Sequence, residues 1–205
     1  MTQTWTLHYL GHHPEAQEKI FKELDEVFGD SDRDASMDDI KKLKYLEAAV
    51  KEGMRLSPPI CGFARDADDD ITFQSNDGKD LTIPKSATLF IFPYFVQRDP
   101  RHWKDPETFD LMRFFNNNDR HEHSFIPFSA GLRSCLAKRY AMTEVIGLLA
   151  ALFRRFSVKS LNDLGSIRSN PQITNHPSDP VSMQFIKRSS ALTMHAVDQI
   201  CDLTF

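Results

Sequence analysis

Cys135 is the residue of this sequence best placed to do chemistry, because it follows a loop and precedes a long helical pattern, within the stretch FSAGLRSCLA at 128–137. Free backbone N–H groups and the positive end of a helix favour a thiolate. A thiolate is a soft, anionic metal ligand. Gly131 lets the backbone turn close to a bound group, Arg133 can neutralise anionic parts of it, and Phe128 can screen the sulfur from water. The alternative is that Cys135 is only a small buried residue, as most free cysteines are.

Glu52 and Arg55 form a second chemical pair, three residues apart on a predicted helix. Glu52 shares a helical stripe with Tyr45, Ala49 and Leu56, which predicts a partly buried carboxylate. Such a carboxylate needs a cationic partner because its desolvation is costly, and Arg55 offers a planar fork of donors. The alternative is an ordinary surface pair that contributes about 0.2–0.5 kcal/mol.

Two histidine pairs and one acidic run are weaker candidates for metal chemistry. His12 with His13, and His121 with His123, lack the third ligand at helical spacing that a metal hydrolase needs. No serine, histidine and aspartate signature of a nucleophilic enzyme accompanies them. The run DADDD at 66–70 lacks the spaced ligands, central glycine and final glutamate of a calcium loop, so we interpret it as a solvated turn.

Helical patterns are expected to position both motifs. The segment 14–28 begins with proline, repeats apolar residues at helical spacing and ends before Gly29. Ser36 with Asp39 predicts a helix cap. The helix that carries Glu52 must end at the prolines 58 and 59. The predicted helices are 2–11, 14–28, 45–57 and 136–156.

The rest of the chain predicts short strands and loops. A turn-rich stretch between 71–74 and 81–83 predicts a β-hairpin, and TLFIF at 88–92 predicts a buried strand. Residues 93–127 lack periodicity, which predicts a long ordered loop. Short strands and turns are expected after residue 156, and the tail 189–205 is left unassigned.

The composition is that of a globular protein, with 40% hydrophobic and 26% charged residues among 205. A net charge of -4 does not suggest a nucleic-acid partner. The 3 cysteines are widely spaced and form no CxxC pair, which argues against a disulfide scaffold and a thiolate zinc site. No apolar run approaches the roughly 18 residues of a membrane span, and the first residues do not resemble a signal peptide.

Taken together, the motifs resemble the cytochrome P450 family of haem-thiolate monooxygenases over most of the chain. The cysteine signature of that family, Phe-x-x-Gly-x-Arg-x-Cys-x-Gly, is matched at Phe128, Gly131, Arg133 and Cys135, with Ala137 where glycine is commoner. The family's Glu-x-x-Arg motif is matched at Glu52 and Arg55. The stretch QRDPRHWKDPETFDLMRF resembles the meander of the family; it departs from it at Leu111 and Met112 but keeps Arg113.

The resemblance implies a role for each matched residue. Cys135 is expected to ligate the iron of haem b, with Phe128 and Gly131 beside the cofactor. Arg133 and Arg65 are candidates to pair with the haem propionates.

Further roles follow from the same resemblance. Glu52, Arg55 and Arg113 are expected to form a structural network that holds the meander to the helix. The candidate substrate contacts are Ile60, Gly62 and Phe63. Lys138 and Arg139 are candidates to dock an acidic electron donor, with a solvated helix face as the alternative.

The resemblance also implies the fold and the function. The expected fold is mainly α with small β-hairpins and sheets, the C-terminal, proximal part of the P450 fold over residues 1–188. The expected activity is activation of dioxygen and insertion of one oxygen atom into a lipophilic substrate, with an NADPH-linked reductase as electron donor. Similarity to microsomal fatty-acid hydroxylating members implies the endoplasmic reticulum membrane for the full-length protein, and no anchor is found in this chain.

The first helical pattern begins without a lead-in, so we interpret the chain as a fragment that is inactive by itself. The alternative is a non-catalytic remnant that only binds haem or a partner. An intact cysteine motif is compatible with both.

Overall fold

The computed structural model describes residues 1–75, 77–115, 121–188 and 200–204, the last segment as backbone only. Short 3-10 helices cover Leu111–Phe114, Glu122–Ser124 and Gly131–Arg133. The α-helices are α1 (Thr2–Leu10), α2 (Pro14–Phe28), α3 (Met37–Ile40), α4 (Lys44–Leu56), α5 (Pro93–Val96) and α6 (Lys138–Phe153). The strands are β1 (Phe63–Asp66), β2 (Ile71–Gln74), β3 (Asp80–Ile83), β4 (Thr88–Ile91), β5 (Phe156–Ser160), β6 (Ser169–Pro171), β7 (Asn175–Pro177), β8 (Ser182–Lys187) and β9 (Ile200–Thr204).

The helix bounds follow from local sequence signals. Pro14 occupies the first turn of α2, and Gly29 ends the helix with φ of +54°, a value that glycine adopts without strain. Ser36 accepts a hydrogen bond from the Asp39 backbone N–H, and the Asp39 carboxylate accepts one from the Ser36 N–H. This reciprocal capping box starts α3 as predicted.

Helix α4 is the centre of the helical layer. It packs against α1, α2, α6 and the 3-10 helix Leu111–Phe114. Its apolar stripe is fully buried at Leu46, Val50 and Met54. Because α4 ends at Leu56, just before the two prolines, its last turn carries Glu52 and Arg55 into the interior.

Antiparallel strand pairs surround this helical layer. β1 pairs with β4, β2 with β3, and β6 with β7, while β8 lies between β5 and β9. The architecture is therefore mainly α with small β-sheets, as expected. The hairpin of β2 and β3 has the predicted strands, with Ile71 opposite Ile83 and Phe73 opposite Leu81.

The strand predicted over 88–92 forms, but the prediction that it is buried is wrong. Phe90 is 70% exposed and Phe92 is 45% exposed. In the part of the chain that the structure describes, the strand pairs with β1 alone, and its alternate residues are exposed on one face and half-buried on the other. Strand β1 was not predicted, because four residues without a clear alternation of apolar and polar side chains carry little strand signal.

The helix predicted over 136–156 is shorter at both ends. Residues 135–137 form a turn before α6 begins at Lys138, and Phe156 starts β5 opposite Lys187 of β8. Cross-strand pairing thus competes with the helical pattern at the C-terminal end. Of the unassigned tail, residues 200–204 pair with β8, and residues 189–199 lie outside the described part.

The segment 93–127 is the long ordered loop that was predicted, apart from 116–120, which are not described. Regular structure within it is limited to α5 and two 3-10 helices among the described residues. None of the described helices combines the length and the apolar character that crossing a bilayer requires.

Candidate functional site

The Glu52–Arg55 pair is completely buried, with 0% of either side chain exposed. The Arg55 Nε donates to Glu52 Oε2 at 2.7 Å, and Arg55 Nη2 donates to Glu52 Oε1 at 2.8 Å. This two-point contact is the strongest geometry available to a guanidinium and a carboxylate. The surface-pair alternative is therefore wrong for these residues.

Arg55 uses its other donors to hold the long loop. Its Nη1 donates to the carbonyl oxygens of Gln97 at 3.0 Å and Pro106 at 2.6 Å, and its Nη2 donates to that of Thr108 at 3.1 Å. The guanidinium also lies 5.0 Å from the ring centre of Trp103. The buried Arg55 guanidinium thus holds three backbone carbonyls of the irregular loop in place.

Arg113 joins Glu52 from the other side. Its Nε lies 3.3 Å from Glu52 Oε1, an ion-pair distance without the angle of a hydrogen bond. The same carboxylate oxygen accepts the Asp110 backbone N–H at 3.0 Å. Arg113 Nη1 donates to the Lys104 carbonyl and Nη2 to that of Asp105 at 2.8 Å. The structure therefore brings the three residues of the expected network into one cluster.

Gln97 is a residue of this cluster that the sequence analysis missed. Its side-chain amide donates to the carbonyls of Met54 at 3.0 Å and Arg55 at 3.2 Å. Its Oε1 accepts the Ile126 backbone N–H at 3.0 Å. A glutamine in an aperiodic loop carries no signal of burial, so no local pattern could have identified it.

The Cys135 loop is a tight turn with an exposed, free thiol at its end. The Cys135 N–H donates to the Phe128 carbonyl at 2.9 Å, and the Ser134 N–H donates to that of Gly131 at 3.1 Å. Gly131 has φ of +71°, which explains glycine at this position. Phe128 is half-buried against the core. Helix α6 begins at Lys138, so Cys135 lies where the loop meets the start of the long helix, as expected, with two turn residues between them.

Arg65 reaches this loop from strand β1. Its Nη2 donates to Ser129 Oγ at 2.9 Å and to the Arg133 carbonyl at 3.3 Å, and its guanidinium lies 4.8 Å from the Phe63 ring centre. The side chain of Arg133 is exposed beside it. The two arginines expected near the cofactor are therefore neighbours, although they lie 68 residues apart in the chain.

A depression of about 440 Å³ lies at the start of β1. It contains the three candidate substrate contacts, Ile60, Gly62 and Phe63. It also contains residues that the sequence analysis missed, from β4 and from the turn between β6 and β7. The depression is lined by Ile60, Cys61, Gly62, Phe63, Ala64, Phe90, Phe92, Pro171, Gln172 and Ile173.

The donors around the cysteine loop fit haem by their chemistry. Cys135 offers a soft sulfur, and Leu132 and Leu136 on either side of it are fully exposed apolar side chains. Arg65 and Arg133 supply the positive charge that propionates need. An apolar iron macrocycle with two carboxylates matches this combination of groups.

The weaker metal candidates are not assembled into a site. The rings of His121 and His123 lie 6.0 Å apart and both side chains are exposed. Lys85 binds two residues of the acidic run, with its Nζ on Asp69 and its backbone N–H on Asp70. Within 1–75, 77–115 and 121–188, no group of three or more His, Cys, Asp or Glu is arranged to hold a metal ion.

Comparison with known proteins gives a consistent result. The family model described as Cytochrome P450 matches residues 1–183. Cytochrome P450 4V2 of Homo sapiens is 36% identical over 188 residues, which cover 91% of this chain and 35% of the relative. Cytochrome P450 4c21 of Blattella germanica is 33% identical over 182 residues, or 88% of this chain and 35% of the relative. Cytochrome P450 4A10 of Rattus norvegicus is 35% identical over 155 residues, or 76% of this chain and 30% of the relative. The chain thus spans about a third of the length of these relatives.

Proposed function

Because the chain belongs to the cytochrome P450 family, we propose that it forms the cysteine-ligand part of a haem-dependent monooxygenase. The observation that carries the proposal is the exposed Cys135 thiol at the end of a hydrogen-bonded turn, with Arg65 bound to the same loop. When bound, haem supplies the activation of dioxygen and the transfer of one oxygen atom to the substrate. The residues of this chain are proposed to provide the iron ligand, the positive charges that bind the propionates and an apolar depression for the substrate.

Cys135 is proposed as the ligand of the haem iron. The turn from Phe128 to Cys135 directs the sulfur away from the core, and the Phe128 ring lies at the base of the turn. Arg65 and Arg133 are proposed to bind the haem propionates. In the described part of the chain, Arg65 bonds the loop and its own strand through its Nη groups, which leaves its Nε–H for this role.

The Glu52–Arg55–Arg113 cluster is proposed to act on the cysteine loop indirectly. Arg55 and Gln97 fix the long loop, and Gln97 binds the Ile126 N–H two residues before Phe128. A chain of hydrogen bonds therefore runs from the buried carboxylate to the start of the cysteine loop. These residues position the ligand loop and do not touch the reacting atoms.

The depression beside β1 is proposed to hold part of a lipophilic substrate. Its ten lining residues include no charged side chain, which favours an apolar ligand. Phe63 and Arg65 are two residues apart on one strand, about 7 Å, so the depression and the cysteine loop are adjacent.

Electron transfer from a reductase and a membrane location are proposed for the full-length protein. Lys138 and Arg139, exposed after the cysteine loop, are proposed to contact an acidic, NADPH-linked reductase. The endoplasmic reticulum membrane is proposed as the location, supported by the resemblance to microsomal family members.

Spectroscopy of the reduced, carbon monoxide-bound protein tests the ligand. The protein is expressed with any upstream coding sequence that its transcript carries, and the Soret band is recorded. We expect the red-shifted band of a thiolate-ligated haem, lost in Cys135→Ser and kept in the control Cys61→Ser. A thiolate-type band that persists in Cys135→Ser would refute the assignment. The absence of any haem band in the wild-type protein would refute the proposed function.

A further inference from the structure

Phe92 lies directly on the backbone of Gly62. Phe63 is the ladder partner of Ile91, so Gly62 and Phe92 face each other just beyond the end of the β1–β4 pair. A Cβ atom placed on Gly62 would lie 2.6 Å from Phe92 Cδ1 and 2.8 Å from Cε1. Any side chain at position 62 would therefore push the ring away, and glycine is required for the ring to occupy this place.

Two other phenylalanines lie beside the ring of Phe92. Phe90 is stacked with Phe92 at 6.5 Å and 19°, and Phe95 meets it edge-on at 6.0 Å and 67°. Both geometries are favourable for aromatic pairs. Phe92 is thus held between the Gly62 backbone and two rings, although it is on the surface.

The ring is also a wall of the depression proposed to hold substrate. Gly62, Phe90 and Phe92 line this depression together with Cys61 and Gln172, which are its only polar side chains in the part of the chain that the structure describes. Burial raises the pKa of the Cys61 thiol, so that group stays neutral. Apolar contact and shape are consequently the means by which this wall can select a ligand.

We propose that Phe92, seated on Gly62, is a specificity-determining residue that limits the bulk of the apolar group admitted to the depression. The inference rests on the proposed function, because it takes the depression as part of the substrate site. The ring occupies space that a wide ligand needs, while a slender ligand passes along its face. A side chain at position 62 would displace the Phe92 ring and so weaken the binding of both wide and slender ligands.

Two imidazole probes measure the selectivity without turnover. The haem-loaded protein, expressed as above, is titrated with 1-decylimidazole and with 1-adamantylimidazole, whose tails contain equal numbers of carbon atoms. The free imidazole nitrogen binds the haem iron and shifts the Soret band, so each titration gives a Kd. The ratio of the two Kd values reports how strongly the site rejects a bulky tail.

Phe92→Ala is expected to lower the ratio of the adamantyl Kd to the decyl Kd by about tenfold, because the space vacated by the ring accepts the bulky tail. Phe92→Leu, a milder truncation, should lower it by about threefold. Gly62→Ala is expected to weaken decyl binding about fivefold through overpacking, and the double variant with Phe92→Ala should restore it.

Gly147→Ala is the matched control, because the nearest atom that a Cβ there meets on another described element is Ile40 Cδ1, at an ordinary 3.5 Å. Its Kd ratio should equal that of the wild type. An unchanged ratio in both Phe92 variants, with the thiolate-type carbon monoxide band intact, overturns the inference and leaves the proposed function standing. Absence of that band in the wild type defeats the proposed function, and the inference falls with it.

Discussion

The Glu52 carboxylate is buried, and its hydrogen bonds and ion pair replace the water that it loses on burial. It receives two bonds from Arg55, one from the Asp110 N–H and the ion pair with Arg113. An ionised carboxylate removed from water is stable only when such partners replace the lost hydration. The intact Glu52–Arg55 pair therefore adds little to the net free energy of unfolding, because desolvation offsets its attraction. Removal of one partner lowers the free energy of unfolding strongly, because the other charge stays buried.

Arg55→Ala should lower the free energy of unfolding by about 3–5 kcal/mol, because it removes the two-point partner of the buried Glu52 carboxylate and the donor to the Gln97 and Pro106 carbonyls. Urea unfolding of the protein, monitored by circular dichroism, measures the change. Lys51→Ala is the control on the same helix: Lys51 pairs with Glu47 at 2.8 Å near the surface, and its loss should cost at most about 1 kcal/mol. Equal costs for the two variants would contradict the argument.

His8 is a second buried titratable residue, outside the cysteine loop. Its Nδ1 lies 2.9 Å from Ser160 Oγ, and its ring meets that of His12 edge-on at 5.0 Å. Burial, and then the neighbouring His12, lower the pKa of His8 to about 4 from an ordinary 6.5. The folded protein therefore keeps this histidine neutral in mild acid, where an unfolded chain would protonate it.

The sign of this shift predicts a loss of stability in acid. Because the folded pKa lies below the unfolded value, unfolding takes up a proton, and stability falls as the pH decreases from about 6.5 to about 4, by about 3 kcal/mol. His8→Gln should flatten this part of a stability–pH curve measured by urea unfolding. The exposed His123→Gln should leave it unchanged. An identical slope in His8→Gln and the wild type would refute the interpretation.

At the scale of elements, the described part of the long loop 93–127 is held in place mainly by side-chain hydrogen bonds and less by backbone hydrogen bonds of helices or strands. Between α5 and the 3-10 helix Leu111–Phe114, described turns are tied to the end of α4 by Arg55 and Gln97. A long aperiodic segment is uncommon in a compact domain unless it has a role. Here it connects the buried pair of α4 to the start of the cysteine loop.

Gln97→Leu should destabilise the protein by about 2–4 kcal/mol, because the Ile126 N–H and two helix-end carbonyls lose buried partners. It should also reduce the fraction of purified protein that carries haem, since Ile126 precedes the ligand loop. Absorbance of haem relative to protein and urea unfolding measure the two effects. Gln74→Leu, on the exposed hairpin strand β2, is the control and should change neither. A stable, fully haem-loaded Gln97→Leu protein would contradict this account of the loop.

At the scale of the whole molecule, apolar side chains around the site are exposed among the described residues. Leu132 and Leu136 beside Cys135 are fully exposed, and the aromatic wall at Phe90 and Phe95 faces outward. Monooxygenase chemistry needs a covered site from which water is excluded. The matched residues cover 35% of relatives such as Cytochrome P450 4V2 and Cytochrome P450 4c21, and we propose that turnover needs more residues than this chain contains.

The 205-residue chain alone, loaded with haem and supplied with electrons, is expected to hydroxylate the probe dodecanoic acid at least about a hundredfold more slowly per haem than a longer expression product. Product analysis by mass spectrometry measures both rates. Equal rates would refute the expectation. A longer product that shows the carbon monoxide band but no turnover would favour a non-catalytic haem-binding protein.

The sequence by itself determined the features that depend on near neighbours. The bounds of α2, the cap at Ser36, the end of α4 before its prolines and the β2–β3 hairpin all follow from periodicity, proline and turn residues. The cysteine signature and the Glu-x-x-Arg motif, in this order and with the meander-like stretch between them, were sufficient to predict the family. The burial of Glu52 was predicted in part, because its position on a helical stripe is also a local property.

Only the tertiary structure decided which distant residues meet. Arg65 binds the loop of Arg133, Gln97 links α4 to Ile126, and Phe92 rests on Gly62. None of these contacts could be predicted from a periodic sequence pattern, because each involves an irregular or very short segment and joins residues that are far apart in the chain. They depend on how the elements pack, and packing is a property of the whole set of side chains and not of any one stretch.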